Sequence, residues 1–81
     1  HRRTSEAVAE CDRHVSDAEP LIHKAVGWVM REVGKKDLGA LLDWLDRNIG
    51  RMSATTLSYA TEKLDKSDRR AWQLRRREAR Q

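Results

Sequence analysis

From Pro20 to Asp37 the chain reads PLIHKAVGWVMREVGKKD, with Leu21, Ile22, Ala25, Val26, Val29, Met30 and Val33 recurring at spacings of three and four. A helix gathers such residues on one broad face; a strand, whose side chains alternate at every second residue, cannot. His23, Lys24, Gly27, Trp28 and Arg31 fall on the other face, so the expected helix has an apolar back and a basic front. Trp28, on the margin beside Lys24 and Arg31, is a large aromatic outside the core stripe and calls for a partner or a ligand. Gly27 costs about 1 kcal/mol against alanine inside a helix and marks a place where something approaches the backbone closely.

The flanking segments repeat the helical pattern. Helix one is expected from about Ser5 to Val15, capped by Thr4 or Ser5, with Val8, Cys11 and Val15 along its buried stripe. The central helix is expected to end near Val33, with Gly34 in the left-handed conformation. Lys35 and Lys36 then either complement the helix dipole or reach a phosphate. Asp37 caps helix three, which runs to about Arg47 on a stripe of Leu38, Leu41, Leu42 and Leu45, with Trp44 packing beside it. Met52 and Leu57 bracket Ser53 as a hydrophobic staple and start helix four, Ala54 to Leu64, with Tyr59 and Lys63 pointing away from its stripe. Ser67 caps a fifth helix from Asp68 to about Arg80, whose apolar side is Ala71, Leu74 and Ala79 and whose other side carries Arg69, Trp72, Arg76 and Arg80; the alternative is a partly disordered tail with Trp72 tucked onto the body. No stretch alternates like a strand, so the fold class is all-α, built from antiparallel helical hairpins. The organisation expected is a frayed N-terminus over 1–4, two hairpins over 5–66, and an arginine-rich helix or tail over 67–81.

With 81 residues, 38% of them hydrophobic and no Phe, the core is thin. Val8, Cys11 and Val15 are therefore expected to need cover from further repeats or from another copy of the chain. The absence of an initiating methionine before His1 is expected of a processed product or a fragment. No apolar run approaches the ~18 residues that span a bilayer. The single cysteine, Cys11, cannot form an intrachain disulfide and suits a reducing, cytoplasmic setting. It reads as a core thiol, and with His14 and His23 it makes no zinc-ligand spacing, so no metal and no cofactor are expected. Charge is uneven: Arg69, Arg70, Arg75, Arg76, Arg77 and Arg80 against Asp68 and Glu78 account for the whole net charge of +4. Such a segment either serves a polyanion, through Arg69, Arg75, Arg76, Arg77 and Arg80 as phosphate contacts, or is a solvated tail. No set of Asn, Gln and Arg on one exposed helix suggests base-edge readout, so the partner expected is the backbone of duplex DNA.

The run Lys24-Ala25-Val26-Gly27-Trp28, followed by Arg31-Glu32, Lys35 and Asp37, resembles the K-A-[IV]-G-W-x-[LM]-R-E signature of the DNA alkylation repair enzymes, the AlkD-like glycosylases built from HEAT-like repeats. Leu57 to Leu64 resembles the next helix of that family, so the similarity spans roughly Ser5 to Leu64. The resemblance implies an α-solenoid fragment of two HEAT-like repeats whose second helices line a positively charged DNA-binding surface. It implies DNA- and lesion-facing roles for Lys24, Gly27, Trp28 and Arg31, with Trp28 near an alkylated nucleotide and Arg31 on a phosphate. The family's catalytic aspartate lies on helices upstream of this signature, and no segment here matches them. No catalytic residue is therefore expected; Glu32, the acid adjacent to Trp28, has a sufficient role as a helix-surface ion pair. A non-enzymatic helical-repeat scaffold, binding protein or nucleic acid, fits the same helices.

Overall fold

The computed structural model of the chain describes residues 2–80, and among these it holds five helices and no strand. They are α1 (Arg2–His14), α2 (Pro20–Lys36), α3 (Leu38–Asn48), α4 (Ala54–Ala60) and α5 (Lys66–Ala79). The all-α expectation holds. Short polar side chains mark the starts: Asp37 accepts from the Ala40 N–H at 3.1 Å, Ser53 from the Thr56 N–H at 3.0 Å, and Asp65 from the Asp68 N–H at 2.9 Å. Each satisfies a donor that a helix start leaves without an intrahelical acceptor.

Several boundaries differ from expectation. Helix α1 already includes Arg2 to Thr4, where no Gly or Pro breaks it, and Ser5 is interior rather than a cap. The fraying expected at His1 lies outside the described residues. Helix α2 runs straight through Gly34 to Lys36, and no described glycine has a positive φ. Gly34 is a packing glycine, since a Cβ there would stand 2.5 Å from Leu41 Cδ2. The helix stops at Asp37, whose N–H bonds Val33 O at 2.8 Å. Helix α4 ends at Ala60, four residues early: after the Thr61 N–H bond to Leu57 O at 3.0 Å the chain tightens into a turn, Glu62 N–H donating to Tyr59 O at 3.3 Å and Leu64 N–H to Thr61 O at 3.0 Å. That turn brings Asp65, not Ser67, to the cap of α5.

Helix α2 is the hub. It packs against α1, α3 and, most extensively, α4, while α1 also touches α3. The second helix of the second hairpin thus stacks on the second helix of the first, as in a fragment of a helical repeat. Gly27 makes this possible: a Cβ on it would lie 2.6 Å from Tyr59 Cβ and 2.7 Å from Thr56 O. The Thr56 hydroxyl locks the crossing by donating to His23 O at 3.0 Å. Beneath lie Val26, Met30 and Val33 of α2, Leu41, Trp44 and Leu45 of α3, and Met52, Leu57 and Ala60 around α4.

The expectation that Val8, Cys11 and Val15 lack cover within the chain is corrected. Cys11 and Val15 are buried in the same core, and Val8 packs against it half-buried. What anchors α1 is a polar network the hydrophobic pattern does not show. The buried Asn48 amide donates to Asp12 Oδ1 at 3.1 Å and to Trp44 O at 3.0 Å, its oxygen accepts from Arg51 at 3.1 Å, and Arg47 pairs with Asp12 at 3.3 Å. Burial, with Asp12 nearby, pushes the Cys11 thiol up to about 11. At pH 8 only on the order of one thiol in a thousand is then ionised. Cys11 is accordingly expected to resist a thiol-specific disulfide reagent at pH 8 in the folded chain and to react promptly in denaturant. Equal rates in the two states would contradict its burial.

Candidate nucleic-acid interface

Packing α4 against Gly27 rotates the buried sector of α2 away from the one its apolar residues suggest. Leu21 (70% exposed) and Ala25, assigned to the apolar back, face outward, and Gly27, assigned to the front, is buried. The close approach that Gly27 signals is by α4, so its backbone offers no surface to a ligand. Lys24 and Trp28, one turn apart, remain on the outer face, and Trp28 is 51% exposed. Trp28 borders a cleft of about 310 Å³ lined by Val29, Glu32, Val33 and Lys36 of α2 and Arg3, Thr4 and Ala7 of α1.

Arg31 is differently placed. Its side chain is largely covered, and its guanidinium reaches Glu62 at 2.9 Å and Glu32 at 3.3 Å, tying α2 to the turn after α4. Glu32 also takes Lys35 at 3.1 Å. The Lys35 hydrogen bond, against some desolvation and with help from Arg31, holds the Glu32 carboxyl below its ordinary range. Glu32 therefore stays ionised at neutral pH, acting as a fixed negative charge and not as a proton donor. Lys24, Lys36 and Arg3 have no hydrogen-bond or ion-pair partner among the described residues. Lys36 and Arg3 flank the Trp28 cleft; nothing in their sequence spacing links them, because they meet only when α1 lies antiparallel to α2.

On α5 the orientation is the reverse of the one expected for a helix with Trp72 on its outer side, and the tucked Trp72 of the alternative is found on an ordered helix. Trp72 packs on the core, Arg69 and Arg76 are half-buried, and Leu74, assigned to the apolar side, is 53% exposed. The indole and the arginine stems outweigh the smaller Ala71–Leu74 stripe as apolar cover, and the Arg76 and Arg80 guanidinium groups find local acceptors. Arg76 Nε donates to Met52 O at 2.9 Å, and Arg80 reaches Gly50 O at 3.5 Å. Arg75 pairs with Asp46 at 2.5 Å and lies over the Trp72 ring, 4.6 Å from its centroid. Arg69 Nε is buried without a hydrogen-bond partner. Of the five arginines expected on phosphate, Arg77 alone keeps an exposed side chain free of partners among the described residues. Arg70 and Lys66, not counted as site residues from the sequence, are exposed and free in the same sense. The spacing Lys66, Arg70, Arg77 (i, i+4, i+11) on one helix flank is the signal that identifies them.

Among the described residues no group of three or more His, Cys, Asp or Glu is gathered to hold a metal ion. No described helix is long and apolar enough to cross a membrane. What the surface offers is an exposed indole over a cleft with a fixed carboxylate, surrounded by unpaired cations. No curated protein and no solved structure matches the chain significantly. Residues 1–64 match the family model described as DNA alkylation repair enzyme, a span that includes α1 through α4 and the whole Trp28 cleft, and the chain belongs to that family.

Proposed function

We propose that the chain is the DNA-binding C-terminal portion of an alkylpurine glycosylase-like repair protein. In this reading it holds backbone phosphates on the outer face of α2 and sets Trp28 against an alkylated nucleotide, without cleaving the glycosidic bond by itself. The four helices α1 to α4 act as two HEAT-like repeats of a cytoplasmic protein, with α2 facing the duplex.

The observation that carries this reading is Trp28, half-exposed in the middle of the central helix with Lys24 one turn before it and Arg3 and Lys36 across its cleft. An alkylated purine carries positive charge, and an indole face attracts a cation by about 0.5–2 kcal/mol. Lys24, Lys36 and Arg3 supply the sequence-independent hold on phosphate. Cleavage of the N-glycosidic bond builds positive charge on the sugar and calls for a carboxylate facing it. Glu32 is bound up with Lys35 and Arg31, which is why a binding role is read here.

Fluorescence anisotropy with matched duplexes, one carrying a single N7-methylguanine, tests this. With about four phosphates neutralised, log affinity should fall against log salt with a slope near −3.6. Lys24→Ala combined with Lys36→Ala should weaken both duplexes equally and flatten the slope by roughly two units. Trp28→Ala should abolish the preference for the methylated duplex and leave the slope unchanged, because a stacked ring displaces few counterions. Salt-independent binding, or a Trp28→Ala chain with its lesion preference intact, would sink the proposal in favour of a non-enzymatic scaffold.

A further inference from the structure

Helix α5 lies beyond the residues that match the family model. Between α4 and α5 runs a cleft of about 290 Å³ lined by Ala54, Leu57 and Ser58 on one wall and Gln73, Arg76 and Arg77 on the other. Two arginines, a serine and a glutamine thus line one space, and no acidic residue lines it.

Arg76 is half-buried, and its one hydrogen bond is to the uncharged Met52 carbonyl. Burial, with the like charge of Arg80 nearby, draws its pKa below the ordinary arginine value. A cation held in a partly desolvated wall without a counter-charge is costly unless an anion shares the space. The opposite flank of α5 shows what compensation looks like: Arg75 there has both Asp46 and the Trp72 ring. Helical spacing places Lys66, Arg70, Gln73 and Arg77 on the α4 flank and sends both acids of α5, Asp68 and Glu78, off it.

We propose that the α4–α5 cleft is a phosphate site that takes a backbone phosphate of nucleic acid. Arg77 and Ser58 are its ligands, Gln73 is an accessory donor, and Arg76 is the fixed charge beneath them. Arg70 and Lys66 extend the track to neighbouring phosphates. A planar guanidinium presents paired donors that match phosphate oxygens, which a lysine at position 77 would not reproduce. The site rests on the DNA-binding reading for the identity of its polyanion, and on the cleft itself for its chemistry.

The test uses the whole chain in two arms, with Arg77→Gln as the variant because that side chain has no partner whose loss would disturb folding. In the first arm, inorganic phosphate is titrated by proton–nitrogen NMR. Saturable shifts are expected at Ser58, Gln73 and Arg77, and they should vanish in Arg77→Gln. In the second, anisotropy on an unmodified duplex should show Arg77→Gln weakening affinity roughly fivefold, as for a lost charge-assisted contact, and flattening the salt slope by about 0.9. Arg75→Gln, on the other flank, should leave the slope in place. Phosphate shifts spread evenly over the cations of α2 and α5 would overturn the cleft. So would an Arg77→Gln chain unchanged in both arms while Lys24→Ala still weakens duplex binding, a result that leaves the proposed function standing. Phosphate shifts confined to the cleft in a chain that binds no duplex would overturn the nucleic-acid occupant and the proposed function together.

Discussion

Trp44→Ala is expected to lose most of the cooperative thermal transition, while Trp28→Ala melts within about 2 °C of the parent chain. Trp44 is fully buried and Trp28 is 51% exposed, although both stand on amphipathic helices. Truncating a buried tryptophan costs about 3–5 kcal/mol through lost transfer energy and the cavity left behind. Against the ~5–10 kcal/mol that holds a domain of this size together, that is a large share. At about 4–8 °C per kcal/mol, it lowers the melting temperature by roughly 15 °C or more. Trp44→Phe should be far milder, because the Trp44 Nε1 N–H finds no hydrogen-bond partner and removing it also removes an unsatisfied buried donor. Circular dichroism melts of the three variants decide the matter. Equal destabilisation by Trp28→Ala and Trp44→Ala would mean that α3 does not carry the core as described.

Gly27→Ala should destabilise the chain by about 2 kcal/mol even though alanine is the better helix former. The added Cβ would sit 2.6 Å from Tyr59 Cβ and 2.7 Å from Thr56 O. Carbon pairs pack best near 3.5–4.0 Å, so α4 has to withdraw by about 1 Å. Neither obstacle is the tip of a flexible side chain. Overpacking of this kind costs about 3 kcal/mol at the upper end of its usual range, and the helix-propensity gain of about 1 kcal/mol offsets only part of it. Withdrawal would also stretch the Thr56 hydrogen bond to His23 O. Gly34→Ala is the control. Its Cβ would meet Leu41 Cδ2 at 2.5 Å and Leu41 Cβ at 3.2 Å, side-chain atoms that can give more readily than the Thr56 backbone, and the loss should be smaller than for Gly27→Ala. If Gly27→Ala stabilises the chain instead, the contact between α2 and α4 is looser than described.

Much of the fold is legible in the residues themselves. The caps at Asp37 and Ser53 and the staple of Met52 and Leu57 depend on neighbours within one or two helical turns and appear where the pattern puts them, whereas the stripes do so only in part: Leu21 of α2 and Leu38 of α3, expected in the core, are 70% and 50% exposed. The signature from Lys24 to Glu32 likewise suffices to indicate the family, because it is local and dense. Helix ends were less legible. Gly34 and Ser67 are plausible terminal residues by type, yet the chain passes through both in helical conformation once Leu41 packs on one and Asp65 caps ahead of the other.

What the sequence determined by itself is therefore the class of elements, their order and the chemistry carried on each. Which side of each element meets the core was decided only by the tertiary structure. Leu21 faces water and Gly27 faces α4 because a helix packs where its partner can come closest, and the missing Cβ lets α4 approach there. Trp72, Arg69 and Arg76 turn inward because α5 covers the turn between α3 and α4, whose carbonyls lie far from α5 in sequence. Arg31 is neutralised by Glu62, thirty-one residues on, while Arg77 is left without a counter-charge. Counting charges along a chain cannot separate those two arginines, because whether a cation is free for a ligand depends on which acids the fold brings within about 4 Å of it.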